Sequence, residues 1–219
     1  MYGILVFGGG IVVLEWGSGM PTFIHSLYAD GGVIAANPSP HGGTWAWCAI
    51  AKANDEDYIA IHGMGIIRPG DKGIELPAIT NNVSEMVAVV AGLESMPDGW
   101  AGRLYSDSRI TLGRLFEGYK WNGIPEPLKV RARKAMAHVH WRAITPIHLD
   151  GHPTKAQLEV GIGKRGNLVS KWNAWCDEQC TKQARLHLGL WNKAQLEAAG
   201  GSGDRKLAEV DSDTIGSNG

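Results

Sequence analysis

Apolar and polar positions alternate through residues 21–32 (PTFIHSLYADGG), with Thr22, Ile24, Ser26, Tyr28 and Asp30 on one face and Phe23, His25, Leu27 and Ala29 on the other. A period of two is that of a strand. This strand ends on a carboxylate just before Gly31 and Gly32, where a turn is expected. Residues 31–43 are turn chemistry throughout, and 44–51 (TWAWCAIA) form an apolar strand with Trp45 and Trp47 on one face, predicted to lie antiparallel to the first. A third strand is predicted over 58–67 and a loop over 68–76. The clearest helix is 80–94, where Met86, Val89, Val90 and Leu93 repeat at helical spacing. Asn82 is its expected cap, with Glu85 three residues on, and Pro97 and Gly99 end it. A short strand over 102–106 stops at Asp107, and 108–116 has helical spacing. A helix over 128–137 follows Pro125 and Pro127, and a last strand over 143–149 leads into Asp150, Gly151 and His152. Residues 153–170 are expected to be a long loop, 171–187 a helix, and the Gly-, Ser- and Asp-rich sequence from Ala198 a flexible tail.

The chain has 219 residues and 44% hydrophobic content, enough for one substantial domain with appendages. A formal net charge of -1 excludes attachment to nucleic acid by bulk charge, so any site for a polyanion must be local. In the middle segment Lys120, Trp121, Lys129, Arg131, Arg133, Lys134 and Trp141 fit either a solvated helix face or a phosphate-contacting patch. The three cysteines, Cys48, Cys176 and Cys180, make no disulfide framework, which points to a reducing compartment and a cytoplasmic location. Spaced i, i+4 on a helix, Cys176 and Cys180 are expected to be small apolar packing residues. The first nineteen residues are apolar but lack a leading Lys or Arg and are interrupted at Gly8 to Gly10, which fits neither a signal peptide nor a membrane span. Residues 1–20 are therefore expected to lie outside the fold, with Met20 as a functional start, 21–190 as the catalytic domain and 191–219 as a flexible tail.

Four acidic residues stand in informative places. Asp30 and Asp107 end strands, Glu85 lies early in a helix, and Asp177 is on the last helix among Trp172, Trp175 and Cys176. Singly, each fits a solvated or capping carboxylate. If the strands are neighbours and the helices pack on the sheet, the four converge, and their repulsion calls for divalent cations. At these residues the sequence resembles the type 1 ribonuclease H family over about 23–184. The matching pieces are LYADGG with Asp30, ANPSPHGGTWAW, TNNVSEMVAVVAGLE with Glu85, LYSDSR with Asp107, DGH at Asp150 to His152, and NAWCDEQC with Asp177.

The resemblance implies an α/β fold, a five-stranded mixed sheet flanked by helices, and hydrolysis of the RNA strand of RNA/DNA hybrids to 5′-phosphate and 3′-hydroxyl products. It implies that Asp30, Glu85, Asp107 and Asp177 hold two Mg²⁺ or Mn²⁺ ions, and that His152 assists proton transfer or product release. Asn37, Asn82 and Ser108 match positions that contact the hybrid, whose 2′-hydroxyls distinguish RNA from DNA, and Gly31, Asn81 and Arg109 are candidate substrate contacts beside them. Two departures concern specificity: a longer insertion between His152 and Asn173, and Arg109 where the family commonly has glutamine. Lys164 and Arg165, in that insertion, are candidates for a substitute phosphate clamp. The expected partner is an RNA/DNA hybrid bound by a monomer, with no membrane association. The alternatives are another nuclease of this fold, acting on structured DNA or double-stranded RNA, and a non-catalytic nucleic-acid-binding module. Four intact carboxylates argue against the last, since they repel a polyanion unless metal is present.

Overall fold

The computed structural model describes residues 2–7, 10–15 and 23–198. Seven strands, β1 (Tyr2–Phe7), β2 (Gly10–Glu15), β3 (Ile24–Val33), β4 (Gly43–Ala53), β5 (Glu56–Ile67), β6 (Arg103–Ser106) and β7 (Thr145–His148), form one sheet in the order β1-β2-β5-β4-β3-β6-β7. Five α-helices, α1 (Asn81–Glu94), α2 (Arg109–Phe116), α3 (Glu126–His138), α4 (Lys155–Val160) and α5 (Lys171–Ala198), and a short 3-10 helix at Trp141–Ala143 complete the described elements. β3, β4 and β5 form an antiparallel meander, while β6 pairs parallel to β3 and β7 parallel to β6. These five strands and their flanking helices make the five-stranded mixed α/β sheet expected from the sequence. The first compact unit is Met1–Leu186; the second, His187–Gly219, is described as far as Ala198 and is helical there. No described helix is long and apolar enough to cross a membrane.

The helix α1 is buried over its whole circumference from Val83 to Leu93, so its apolar stripe understates how central it is. It lies against β3 and β4, where Trp47 is fully buried. Glycines make the room: a Cβ on Gly63 would come within 2.7 Å of the Trp47 indole, and one on Gly92 within 3.0 Å of Leu27. On the opposite face Tyr28, Cys48 and Ile50 pack with Cys176 and Cys180 of α5. There Cys176 Sγ donates to the Tyr28 carbonyl (3.7 Å), Cys180 Sγ to the Asp30 carbonyl (3.5 Å), and Cys48 Sγ lies 3.8 Å from Cys176 Sγ. All three are free cysteines, and burial pushes the Cys176 and Cys180 thiols up, so both are neutral packing groups.

Several expectations are corrected. The strand does not turn at Gly31 and Gly32; β3 continues to Val33, pairing Gly31 with Trp45 and Gly32 with Thr44. The glycine is there for close approach, because a Cβ on Gly31 would lie 2.3 Å from the Glu85 nitrogen and the Ser84 carbonyl carbon. A bulge between Ile24 and Ser26 puts Ile24 in the same cluster as Leu27 and Ala29, not with Tyr28. Thr80, not Asn82, caps α1: its side chain accepts from the Val83 N–H (3.4 Å). The expected loop 153–170 contains α4, whose capping box joins Thr154 and Gln157 and which ends at Gly161 with φ +81°. Residues 1–20 are not wholly outside the sheet, since β1 and β2 form a hairpin and β2 extends the sheet antiparallel to β5. Pro21, Thr22 and the proposed start at Met20 lie outside the described residues. The compact unit ends at Leu186 rather than at residue 190, and 191–198, expected in the tail, are helical.

The Gly31 contact is testable. Gly31→Ala is expected to cost about 3 kcal/mol in urea unfolding, the upper end of the usual overpacking range, because strand and helix backbones must separate to admit one methyl group. Gly189→Ala, where the added carbon meets nothing, should instead stabilise by up to ~1 kcal/mol.

Candidate active site

The approach of α1 to Gly31 sets the site. Asp30 is the last side chain of β3 before the contact and Glu85 is on the helix turn that makes it, so the two carboxylates are brought together through backbone. Asp107 follows β6, which pairs parallel to β3. Carboxylate oxygens of Asp30, Glu85 and Asp107 lie within 4.8 Å of one another. Asp30 and Glu85 are each only 6% exposed. Few donors offset this concentration of charge. The Gly31 N–H donates to Asp30 Oδ1 (2.8 Å) and Asn81 Nδ2 to Glu85 Oε1 (3.4 Å). Glu85 Oε2 and Asp107 Oδ1 are buried with no hydrogen-bond partner among the described residues.

Burial raises the Asp30 carboxyl well above its usual range, and the charges of Asp107 and Asp177 push it further against the opposing Gly31 N–H. Glu85 is raised well above its usual range by burial first, then by Asp30 and Asp107. Asp107 is raised by burial, with His152 and its own backbone N–H pulling the other way. Two unpartnered oxygens within a cluster of two buried carboxylates and one half-buried carboxylate fit a divalent cation, and an all-oxygen donor set suits Mg²⁺ or Mn²⁺. Asp30, Glu85 and Asp107 are the residues that would hold it.

Asp177 stands beside this group, outside the mutual 4.8 Å set. Its Oδ2 accepts from His152 Nδ1 at 3.1 Å, while its charge acts on Asp30, Glu85 and Asp107. The His152 side chain is 80% exposed, on a residue with φ +49°. Gly151 lies directly on the cluster, since a Cβ there would come 2.2 Å from Asp107 Oδ2.

The remaining candidates lie on several elements around the cluster. Asn37, Asn81 and Asn82 gather at the start of α1, where Asn37 Oδ1 accepts from the Asn81 N–H (3.3 Å). Ser108 caps α2 through Thr111, and its N–H donates to Ser106 Oγ (3.1 Å). Gly31 is buried beneath the helix and serves the site through its N–H. Arg109 is turned to a bidentate pair with Glu117 (2.5 and 2.6 Å) and lies over the Tyr119 ring. Lys164 and Arg165 are exposed, and Arg165 is bonded to Asp150. The sequence reading missed His148, whose Nε2 donates to the Asp107 carbonyl (3.2 Å), and Asn167, which binds Asp150. For His148 the available signal was its place at the end of the strand beside β6.

Fold and site together define an α/β domain, a five-stranded mixed sheet flanked by helices and extended by a hairpin, with two buried carboxylates and one half-buried carboxylate gathered between β3, α1 and β6. No family model and no curated protein matches the chain. Among solved structures the chain is similar to an N-terminal RNase H domain from Mycobacterium tuberculosis, with 17% identity, TM-score 0.47, and coverage of 75% of this chain and 97% of that one. It is also similar to RNase H1 from the halophilic archaeon Halobacterium salinarum (20% identity, TM-score 0.45, 72% and 95% covered). A third is the PFV RNase H domain (15% identity, TM-score 0.47, 76% and 97% covered).

The raised carboxyls fix the sign of a pH effect. A carboxyl whose folded pKa lies above its unfolded value contributes stability that is complete below the unfolded value and is lost as pH climbs through the folded one. In chelator, Asp30→Asn and Glu85→Gln should therefore raise Tm relative to the parent at about pH 8, with the gain vanishing near about pH 4. Millimolar Mg²⁺ or Mn²⁺ should raise the parent's Tm and leave that of Asp30→Asn nearly unmoved. A gap between parent and variants that does not change with pH would contradict the buried charge.

Proposed function

We propose that the protein is a divalent-metal-dependent endonuclease that hydrolyses the RNA strand of RNA/DNA hybrids, leaving 5′-phosphate and 3′-hydroxyl ends. The observation that carries this reading is the pair of unpartnered carboxylate oxygens, on Glu85 and Asp107, in a cluster completed by Asp30. A protein that only bound nucleic acid would gain nothing from placing unneutralised acids there. Two divalent ions held by Asp30, Glu85 and Asp107, with Asp177 beside them, would supply activation of the attacking water and stabilisation of the leaving 3′ oxygen.

The chain's own residues do the rest. The Asp177 carboxylate can only accept, so it fixes the His152 tautomer with the proton on Nδ1. That leaves Nε2 of an exposed imidazole free to take a proton near the cluster and pass it to solvent. Asn37, Asn81 and Asn82 offer short polar groups beside Glu85, suited to the 2′-hydroxyls and backbone oxygens of the RNA strand. Ser108, after Asp107, offers another. Arg109, engaged with Glu117, is assigned no substrate contact.

Labelled RNA/DNA hybrid, RNA duplex and structured DNA, each with Mg²⁺, Mn²⁺ or chelator, test the proposal. Cleavage of the hybrid's RNA strand alone, dependent on metal and reduced at least ~10³-fold in Asp30→Asn, is expected. His152→Ala should lower kcat by ~10²-fold while retaining hybrid binding. Metal-independent cleavage, or cleavage unchanged in Asp30→Asn, would reject the mechanism; preference for RNA duplex or structured DNA would reject the substrate.

A further inference from the structure

Residues 153–170 are more than a linker. The segment 162–168 folds as a narrow hairpin, with Ile162 bridged to Leu168, the Gly163 N–H donating to the Asn167 carbonyl (2.8 Å), and the Gly166 N–H to the Gly163 carbonyl (3.1 Å). Leu168 also bridges Leu149 in parallel, and the Asp150 N–H donates to the Leu168 carbonyl (2.9 Å), so the hairpin is laid alongside the continuation of β7. Asp150 fastens it. This carboxylate is buried and accepts from the Arg165 N–H (2.6 Å), Arg165 Nε (3.2 Å) and Asn167 Nδ2 (2.7 Å). Burial alone would push the Asp150 carboxyl up, but the bonds from Asn167 and Arg165 outweigh it and hold it low. Gly163 is in contact too, since a Cβ there would lie 2.4 Å from Asp150 Cβ.

The next two residues after this anchor are Gly151, packed on the Asp107 carboxylate, and His152, bonded to Asp177. One carboxylate therefore joins the inserted segment to the site. At the tip Lys164 is exposed and has no ion-pair partner among the described residues, and the Arg165 side chain is 65% exposed beyond its Asp150 contact.

We propose that the inserted segment is a docked lobe of the active site, fastened by Asp150 as a positioning residue, that presents Lys164 and Arg165 to the phosphate backbone of the nucleic-acid substrate. This rests on the nuclease reading for the identity of the substrate and not for the existence of the lobe. Asp150 holds Gly151 against Asp107 and His152 against Asp177, so loosening it disturbs both the lobe and the catalytic loop. Lys164 is a solvent-exposed cation on a fixed support, so its attraction for phosphate is not offset by the entropy of ordering a free loop.

Two measurements that need no cleavage of nucleic acid test the lobe. The first is limited trypsin digestion of the metal-free full chain, following cuts after Lys164 and Arg165. Asp150→Asn, which turns an amide towards donors, and Asn167→Ala, which removes one bond, should each speed these cuts by ~10-fold or more while thermal unfolding stays cooperative. The second is binding of a labelled RNA/DNA hybrid as a function of salt, in an Asp30→Asn background with Ca²⁺. Lys164→Ala should weaken binding and lower the slope of log K against log salt by about one.

If cleavage is observed, Lys164→Ala should raise KM with kcat nearly unchanged, whereas Asp150→Asn should lower kcat as well. Digestion unchanged in both anchor variants would overturn the role of Asp150. A salt slope unchanged in Lys164→Ala would overturn the phosphate contact. A lobe that passes both tests in a protein that cleaves no hybrid would leave this inference standing and reject the nuclease reading instead.

Discussion

The arrangement of the site depends on how closely the backbone of α1 approaches Gly31. Any side chain larger than hydrogen at that position would hold helix and strand apart and widen the spacing between the Asp30 and Glu85 carboxylates. With glycine there, they are buried in the same small volume as Asp107, at a desolvation cost that the protein's few donors do not recover. The fold carries this cost through the packing around it. The helix that supplies Glu85 is buried on every side, and Trp47 fills the space between helix and sheet over two glycines. Stability is concentrated where the charge is least comfortable, which is how a strained electrostatic arrangement persists in a marginally stable chain.

Under the proposed function, the chain separates chemistry from recognition around this centre. The three carboxylates sit on regular elements or directly after them, so their spacing is set by backbone geometry. Groups suited to substrate contact occupy loops and caps: Asn37 between β3 and β4, Ser108 at the head of α2, and the inserted segment after β7. Arg109 shows how such a position can be withdrawn, because Glu117 and Tyr119 engage it from one side. His152 lies on the boundary, with one ring nitrogen committed to Asp177 and the remainder exposed.

Much of this was legible in the sequence because strands that end in acids are informative. Asp30 and Asp107 each stand at the end of a predicted strand, where burial alone would not favour a charge, and that distinguishes them. Glu85 was found through its helix, although its partner at the cap was misread: Thr80 and Asn82 are both capable caps, and only the backbone conformation at Thr80 distinguishes them. The N-terminal hairpin left a signal that was passed over, two apolar runs separated by glycines, which is hairpin patterning as much as a break in a membrane span. The helix α4 was announced by Thr154 and Gln157 at capping-box spacing. Nothing in the sequence indicated the bulge near His25 or the bonds made by Asp150, since both depend on residues distant in the chain.

The two thiols of α5 that donate to β3 carbonyls have a consequence for geometry. Cys176 and Cys180 are one helical turn apart and fasten successive turns to the Tyr28 and Asp30 carbonyls, with Asp177 between them. A slip of one residue along this face would swing the aspartate by about 100° around the helix axis and take it away from the cluster. Weak sulfur contacts thus act as a gauge for rotation, and the accuracy with which the fourth acid is aimed is set by two of the least polar groups nearby.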